Sequence, residues 1–174
     1  MTILTASTTN EASVRPVLRL GLLGVGNVGQ GVIDVLTRNG GEIERRAGQA
    51  IRVVAASRRN VAALKALADV GVRTTDDPGA VVRDPEVDVV VELIGGTTLA
   101  KQLVLEAISL GKHVVTANKA LLAEHGTEIF AAAQKAGVIV AFEAAVAGGI
   151  PIIKALREGL TANHIQWVAG IING

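Results

Sequence analysis

No cysteine occurs in the 174 residues. Disulfides, thiolate nucleophiles and cysteine-based metal sites are excluded together, and a reducing cytoplasm is the setting expected for the chain. Aromatic residues are nearly as scarce, with two Phe, one Trp and no Tyr, so no platform exists on which the bases of a single-stranded nucleic acid could stack. Neither sign of charge is in excess, because 17 Lys and Arg stand against 16 Asp and Glu. A basic field for nucleic acid and an acidic solvating tail are both missing. No apolar run approaches the ~18 residues of a membrane span. Residues 1–16, MTILTASTTNEASVRP, lack the basic start and continuous apolar stretch of a signal peptide and are expected to form a flexible tail. His113, His125 and His164 are too dispersed for a metal set. G-x-S-x-G, P-loop and H-E-x-x-H patterns do not occur, which leaves hydrolase, kinase and zincin chemistry without support.

What the chain does have is apolar substance, at 49% hydrophobic and 19% charged, enough for one well-buried domain with a little extra attached. Short β-branched runs alternate with longer helical patterns, the signature of βαβ units and a parallel, doubly wound α/β sheet. The strand-like runs are VLRLGLLG from Val17, IRVVAAS from Ile51, GVRTT from Gly71, VDVVVELI from Val87, KHVVTA from Lys112 and GVIVAFEA from Gly137. Several are apolar on both alternating faces, as strands covered by helices on both sides should be. Helix-like segments separate them, NVAALKALADV and AKQLVLEAISLG among them, with Gly71 and Gly111 as C-caps.

The first stretch with chemistry in it is GLLGVGNVGQG, where Gly24, Gly26 and Gly29 form G-x-G-x-x-G between a strand and a helix. Backbone N–H groups and the helix dipole at such a turn hold a pyrophosphate, so a dinucleotide is expected there. The second strand then ends in AASRRN, with no acid to take the ribose hydroxyls of NAD. Ser57, Arg58 and Arg59 stand instead just ahead of Asn60, an N-cap for the next helix. Two arginines before a helix N-terminus repel its dipole unless an anion sits between them, most simply the 2'-phosphate of NADP. A solvated surface pair is the alternative, and an arginine also accepts NAD.

In VVVELIGGTT a strand ends in Gly95 and Gly96, which lets backbone approach a ligand at the carboxyl edge of the sheet. Glu92, inside that apolar run, needs a partner if it is buried. At the same edge HVVTANKALLAEHG places Lys119 as the first helical residue after Asn118, a second N-cap. A cation there opposes the macrodipole, which points to a ligand oxygen or a proton transfer, against the commoner reading of a surface lysine. Glu143 ends the sixth strand in AFEAAVAGGIPII. Its carboxylate and the carbonyls of the small residues after it suit an alkali or alkaline-earth cation, and a structural Glu capping an N–H is the equal alternative.

GLLGVGNVGQGV, VVELIGG, HVVTANKALLA, FEAAVAGGIPII and GIING follow one another as they do in homoserine dehydrogenases, and from about Leu18 onward the chain resembles that family. The resemblance implies a Rossmann NAD(P)-binding domain over residues 17–145 and the beginning of a substrate and dimerisation domain over 146–174. It implies the reversible interconversion of homoserine and aspartate 4-semialdehyde with NADP, or NAD, on the route to threonine, isoleucine and methionine. Val25, Gly26, Asn27 and Val28 match the family's cofactor loop, Arg58 its basic position for NADP, and Lys119 a lysine that contacts cofactor and substrate. Glu143, with the main-chain carbonyls of Val146, Gly148 and Ile150, resembles the family's sodium site. The partners implied are a small-molecule substrate and, at full length, further copies of the chain; no nucleic acid and no membrane are expected.

In the family GIING is followed by acidic substrate-binding residues and a second lysine that transfers the proton. The expectation is therefore a cofactor domain lacking most of its catalytic partner, with a non-catalytic NADP(H)-binding module as the alternative. ANHIQWVAGIING, residues 162–174, reads as a strand beginning a second sheet, with Trp167 on a face meant for burial.

Overall fold

A computed structural model describes residues 17–170. Six parallel strands form one sheet: β1 (Leu18–Leu23), β2 (Ile51–Ser57), β3 (Arg73–Thr75), β4 (Val89–Glu92), β5 (His113–Thr116) and β6 (Val140–Ala141). The order across the sheet is β3-β2-β1-β4-β5-β6. The chain winds outward from β1 to one edge, returns to β4 beside β1, and winds to the other edge. This is the Rossmann order, and the point where the winding reverses opens a crevice at the carboxyl ends of β1 and β4.

Helices α1 (Asn27–Ala47), α2 (Lys65–Asp69), α3 (Pro78–Arg83), α4 (Thr98–Ser109) and α5 (Lys119–Ala136) follow the first five strands, and α6 (Ile152–Lys154) follows the sixth. Side chains alternate between two cores, as a sheet covered on both faces requires. Val90, Leu23 and Val114 pack with Val104, Ile108, Leu121 and Ile129 on one face. Leu20, Leu22, Val89 and Val91 pack with Val25 and Leu64 on the other. Gly21 lets α3 lie against β1, since a Cβ there would come 2.7 Å from Val81 Cγ1.

The register levels the functional edge: Leu23 pairs with Ser57 and with Glu92, and Glu92 pairs with Thr116. Four strands thus end in one plane. At the opposite edge Arg19 clamps Asp88 through its Nε at 2.9 Å and its Nη2 at 2.7 Å. These bonds hold the Asp88 carboxyl below the usual aspartate value despite its partial burial. A depressed carboxyl contributes stability that is present above the unfolded value, about pH 4, and is lost as pH falls through the lower folded value. Thermal melts of the wild type and Asp88→Asn should therefore differ by a constant amount down to about pH 4 and converge below it.

The structure departs from the sequence reading in three places. Residues 60–70 form a short 3-10 turn, Val61–Leu64, before α2, and Asn60 makes no side-chain capping bond. The sixth strand is two residues long where eight were expected, because beyond Ala141 the backbone turns into the 3-10 segment Glu143–Ala145. The strand expected at the end of the chain does not form over residues 164–170. A strand needs a neighbour for its N–H and C=O groups, and none of the described strands pairs there. Trp167 is accordingly exposed and not buried. The tail expected over 1–16, and residues 171–174 of the last segment, lie outside the described residues.

Candidate functional site

The glycine turn sits between β1 and α1. Gly24 takes φ +92°, a left-handed conformation that only glycine adopts without strain, and its N–H donates to Ser57 O at 3.1 Å. A Cβ on Gly29 would stand 2.5 Å from Gly24 O, so the helix start is packed onto the turn. Gly26 differs, because a Cβ there meets nothing within 4 Å. Its open side is the space a ligand would fill. Gly26 is also the N-cap of α1 and offers no side chain to the first turn. The first intrahelical bond runs from Gln30 N to Gly26 O, so the N–H groups of Asn27, Val28 and Gly29 have no partner within the helix. A helix of 21 residues with an uncapped, outward-facing start is a ready anion site.

From this turn a cleft of about 760 Å³ extends along Ser57, Arg58, Arg59 and Asn60 on one side and Leu93, Ile94 and Gly95 on the other. Ser57 is buried and its Oγ reaches Leu22 O at 3.4 Å, tying the ends of β1 and β2. Arg58 and Arg59 are exposed. Among the described residues neither arginine, nor Lys119, takes part in an ion pair. Arg19, Arg45, Arg73 and Arg83 by contrast all find carboxylates. Asp76, Pro78 and Leu99 also line the cleft. The sequence reading takes DDPGAVVRDPE, from Asp76, as a short helix or turn and singles out none of the three as site residues.

A recess of about 290 Å³ adjoins the cleft through Leu93 and Gly95 and is lined by Val28, Ala117, Asn118, Lys119 and Ala120. It brings the start of α1 and the start of α5 to one place. Asn118 caps α5, its Oδ1 accepting from Leu121 N at 3.1 Å, and its Nδ2 donates to Gly96 O at 2.7 Å. Lys119 is the first residue of α5 and is exposed at the recess. Its position against the helix dipole costs on the order of 0.3–1 kcal/mol.

Glu143 lies apart, lining neither the cleft nor the recess. Both of its carboxylate oxygens accept backbone N–H groups, Oε1 from Ile153 and Oε2 from Lys154, each at 3.0 Å. The side chain makes the capping bonds that were its alternative reading. Val146, Gly148 and Ile150 follow in a sharp turn in which Ala147 takes φ +48°, the only non-glycine positive φ among the described residues. Among the described residues no group of three or more His, Cys, Asp or Glu side chains is placed to hold a metal.

The family model for the homoserine dehydrogenase NAD-binding domain matches residues 24–143, most of the described chain. The chain belongs to the homoserine dehydrogenase family. A homoserine dehydrogenase of Pseudomonas aeruginosa is 60% identical over 164 residues, covering 92% of this chain and 36% of its own length. That of Neisseria gonorrhoeae is 55% identical over 168 residues, covering 92% and 37%. The crystal structure of a homoserine dehydrogenase from Thiobacillus denitrificans superposes with a TM-score of 0.80 at 62% identity, over 86% of this chain and 34% of that one. The chain thus spans about a third of the length of these three homoserine dehydrogenases, and the NAD-binding domain of the family accounts for residues 24–143 of it.

Proposed function

We propose that this chain is the NADP(H)-binding part of a cytoplasmic homoserine dehydrogenase that interconverts L-homoserine and L-aspartate 4-semialdehyde in amino-acid biosynthesis. The observation that carries the reading is the continuity of one crevice from two unpaired arginines, past the uncapped start of α1, to Lys119. In this reading Gly24, Val25, Gly26, Asn27, Val28 and Gly29 hold the pyrophosphate by backbone N–H groups and the helix dipole. Ser57, Arg58 and Arg59 receive the 2'-phosphate, which favours NADP over NAD. Gly95 gives the nicotinamide end a wall without side chains. The nicotinamide supplies hydride transfer at its C4. Lys119 donates hydrogen bonds to an oxygen of substrate or cofactor, and its charge holds that oxygen at the recess. Residues 146–174 begin the domain that completes the substrate site and joins copies of the full-length chain. A sodium ion there would rest on Glu143, whose oxygens each accept one N–H and keep a lone pair, and on the carbonyls of Val146, Gly148 and Ile150.

The test is calorimetric titration of the purified chain with NADPH and NADH, with a homoserine oxidation assay in the same buffer. NADPH binding tighter than NADH, without turnover, is the expected result. Failure to bind either nucleotide removes the reading, and turnover would mean that the residues here suffice for proton transfer. In a full-length enzyme carrying this segment, Lys119→Ala should lower kcat/KM about tenfold or more through loss of a charged hydrogen bond. Unchanged turnover would return Lys119 to the surface.

A further inference from the structure

Glu92 is wholly buried at the end of β4 in a run of valines, and no cation accompanies it among the described ion pairs. A buried carboxyl without a counter-charge persists only where hydrogen bonds replace its water. Here three do. Oε1 accepts from Ile94 N at 2.9 Å and from Gly95 N at 3.1 Å, and Oε2 accepts from Thr116 Oγ1 at 2.6 Å. Thr116 Oγ1 in turn accepts from Asn118 N at 3.0 Å. Because that hydroxyl spends its one hydrogen on Glu92, its oxygen is free to receive the amide. The two walls of the recess are thereby joined: the turn through Gly95 and Gly96, both at positive φ, and the Asn118–Lys119 start of α5. A carboxylate in this place fixes the direction of every bond in the chain, which a neutral side chain cannot do.

We propose that Glu92 is a positioning residue for the nicotinamide half of the cofactor crevice, setting the Gly95 turn and, through Thr116 and Asn118, the placement of Lys119. The proposal rests on the cofactor reading above. Glu92→Gln keeps the shape but turns an NH2 toward the Thr116 hydroxyl, whose hydrogen then loses its acceptor, so a donor goes unpaired. The far end of the cleft, at Ser57, Arg58 and Arg59, makes no bond to Glu92 and stays as it is.

The experiment titrates the chain with NADPH and with 2'-phospho-ADP-ribose, which lacks the nicotinamide, and records thermal melts of each variant. Glu92→Gln should weaken NADPH about tenfold while 2'-phospho-ADP-ribose stays within about twofold. Thr116→Val should behave like Glu92→Gln, and Thr116→Ser, which keeps the hydroxyl, like the wild type. Should Glu92→Gln fail to fold, the Thr116 pair carries the same comparison. Equal loss of both ligands would make the role purely structural, and unchanged NADPH affinity in Glu92→Gln and Thr116→Val would remove it. A wild type that binds 2'-phospho-ADP-ribose and NADPH equally also overturns it. A wild type that binds neither defeats the cofactor reading itself, and the proposal with it.

Discussion

Valine in place of Gly26 should abolish NADPH binding, by about three orders of magnitude, while leaving the fold in place. The two halves of that expectation come from one observation. A Cβ at position 26 meets no protein atom within 4 Å, so the apoprotein has room for it. The backbone there is extended, at φ −91° and ψ −155°, and not in the positive-φ region reserved for glycine. Valine is a poorer N-cap than glycine, which sets the stability cost at about 1 kcal/mol or less. The side chain instead occupies the volume in front of the free N–H groups of α1, where a pyrophosphate must come within hydrogen-bonding distance. Gly29→Ala is the contrasting case. Its Cβ would stand 2.5 Å from Gly24 O, a backbone atom that cannot step aside, so the turn itself must open. That variant should melt at clearly lower temperature and bind poorly, whereas Gly26→Val should melt within about 4 °C of the wild type and bind nothing. Titration and melting curves on the two proteins separate the cases. Retained NADPH affinity in Gly26→Val would remove the glycine turn from the site.

The same contrast explains how far the sequence could be read. Runs at strand length marked all six strands in order, several of them by the continuous apolar signal that burial on both faces leaves. The glycine motif was legible for a related reason, being local: strand, turn and helix start lie within a dozen residues. Long-range hydrogen bonds left no such trace. Glu92 visibly needed a partner, yet nothing in the pattern named Thr116, 24 residues later. Glu143 posed the same problem with the opposite outcome, its acceptors being filled by amides ten and eleven residues on. The strand expected over residues 162–174, around Trp167, failed differently. Alternating apolar residues specify a strand only when another strand is there to pair with it, and none of the described strands pairs with this segment.

Reversing the charge of Arg58 should separate the two nicotinamide cofactors. Arg58→Glu is expected to weaken NADPH about a hundredfold and to leave NADH within about threefold. The asymmetry follows from where the charge sits. Arg58 and Arg59 follow the second strand on the opposite side of the cleft from Gly95, and among the described residues neither is neutralised by a carboxylate. Two unit charges about 4 Å apart interact by about 1 kcal/mol in water and about 4 kcal/mol near a protein surface. Replacing one such attraction with repulsion, on a phosphate still partly shared with Arg59, supports the hundredfold figure. NADH carries no phosphate there and feels only the change at the rim. Both arginines are exposed, so the attraction is screened: raising the salt from about 0.05 M to about 0.5 M should weaken NADPH more in the wild type than in Arg58→Glu. Asp76 lines the same end of the cleft, and Asp76→Asn should move the balance the other way, towards tighter NADPH. Equal losses for NADPH and NADH in Arg58→Glu would mean that the arginine supports the adenosine in general and does not read the 2'-phosphate. Preference for NADP would then have to come from Arg59 or Ser57, the two other polar side chains at the end of that strand.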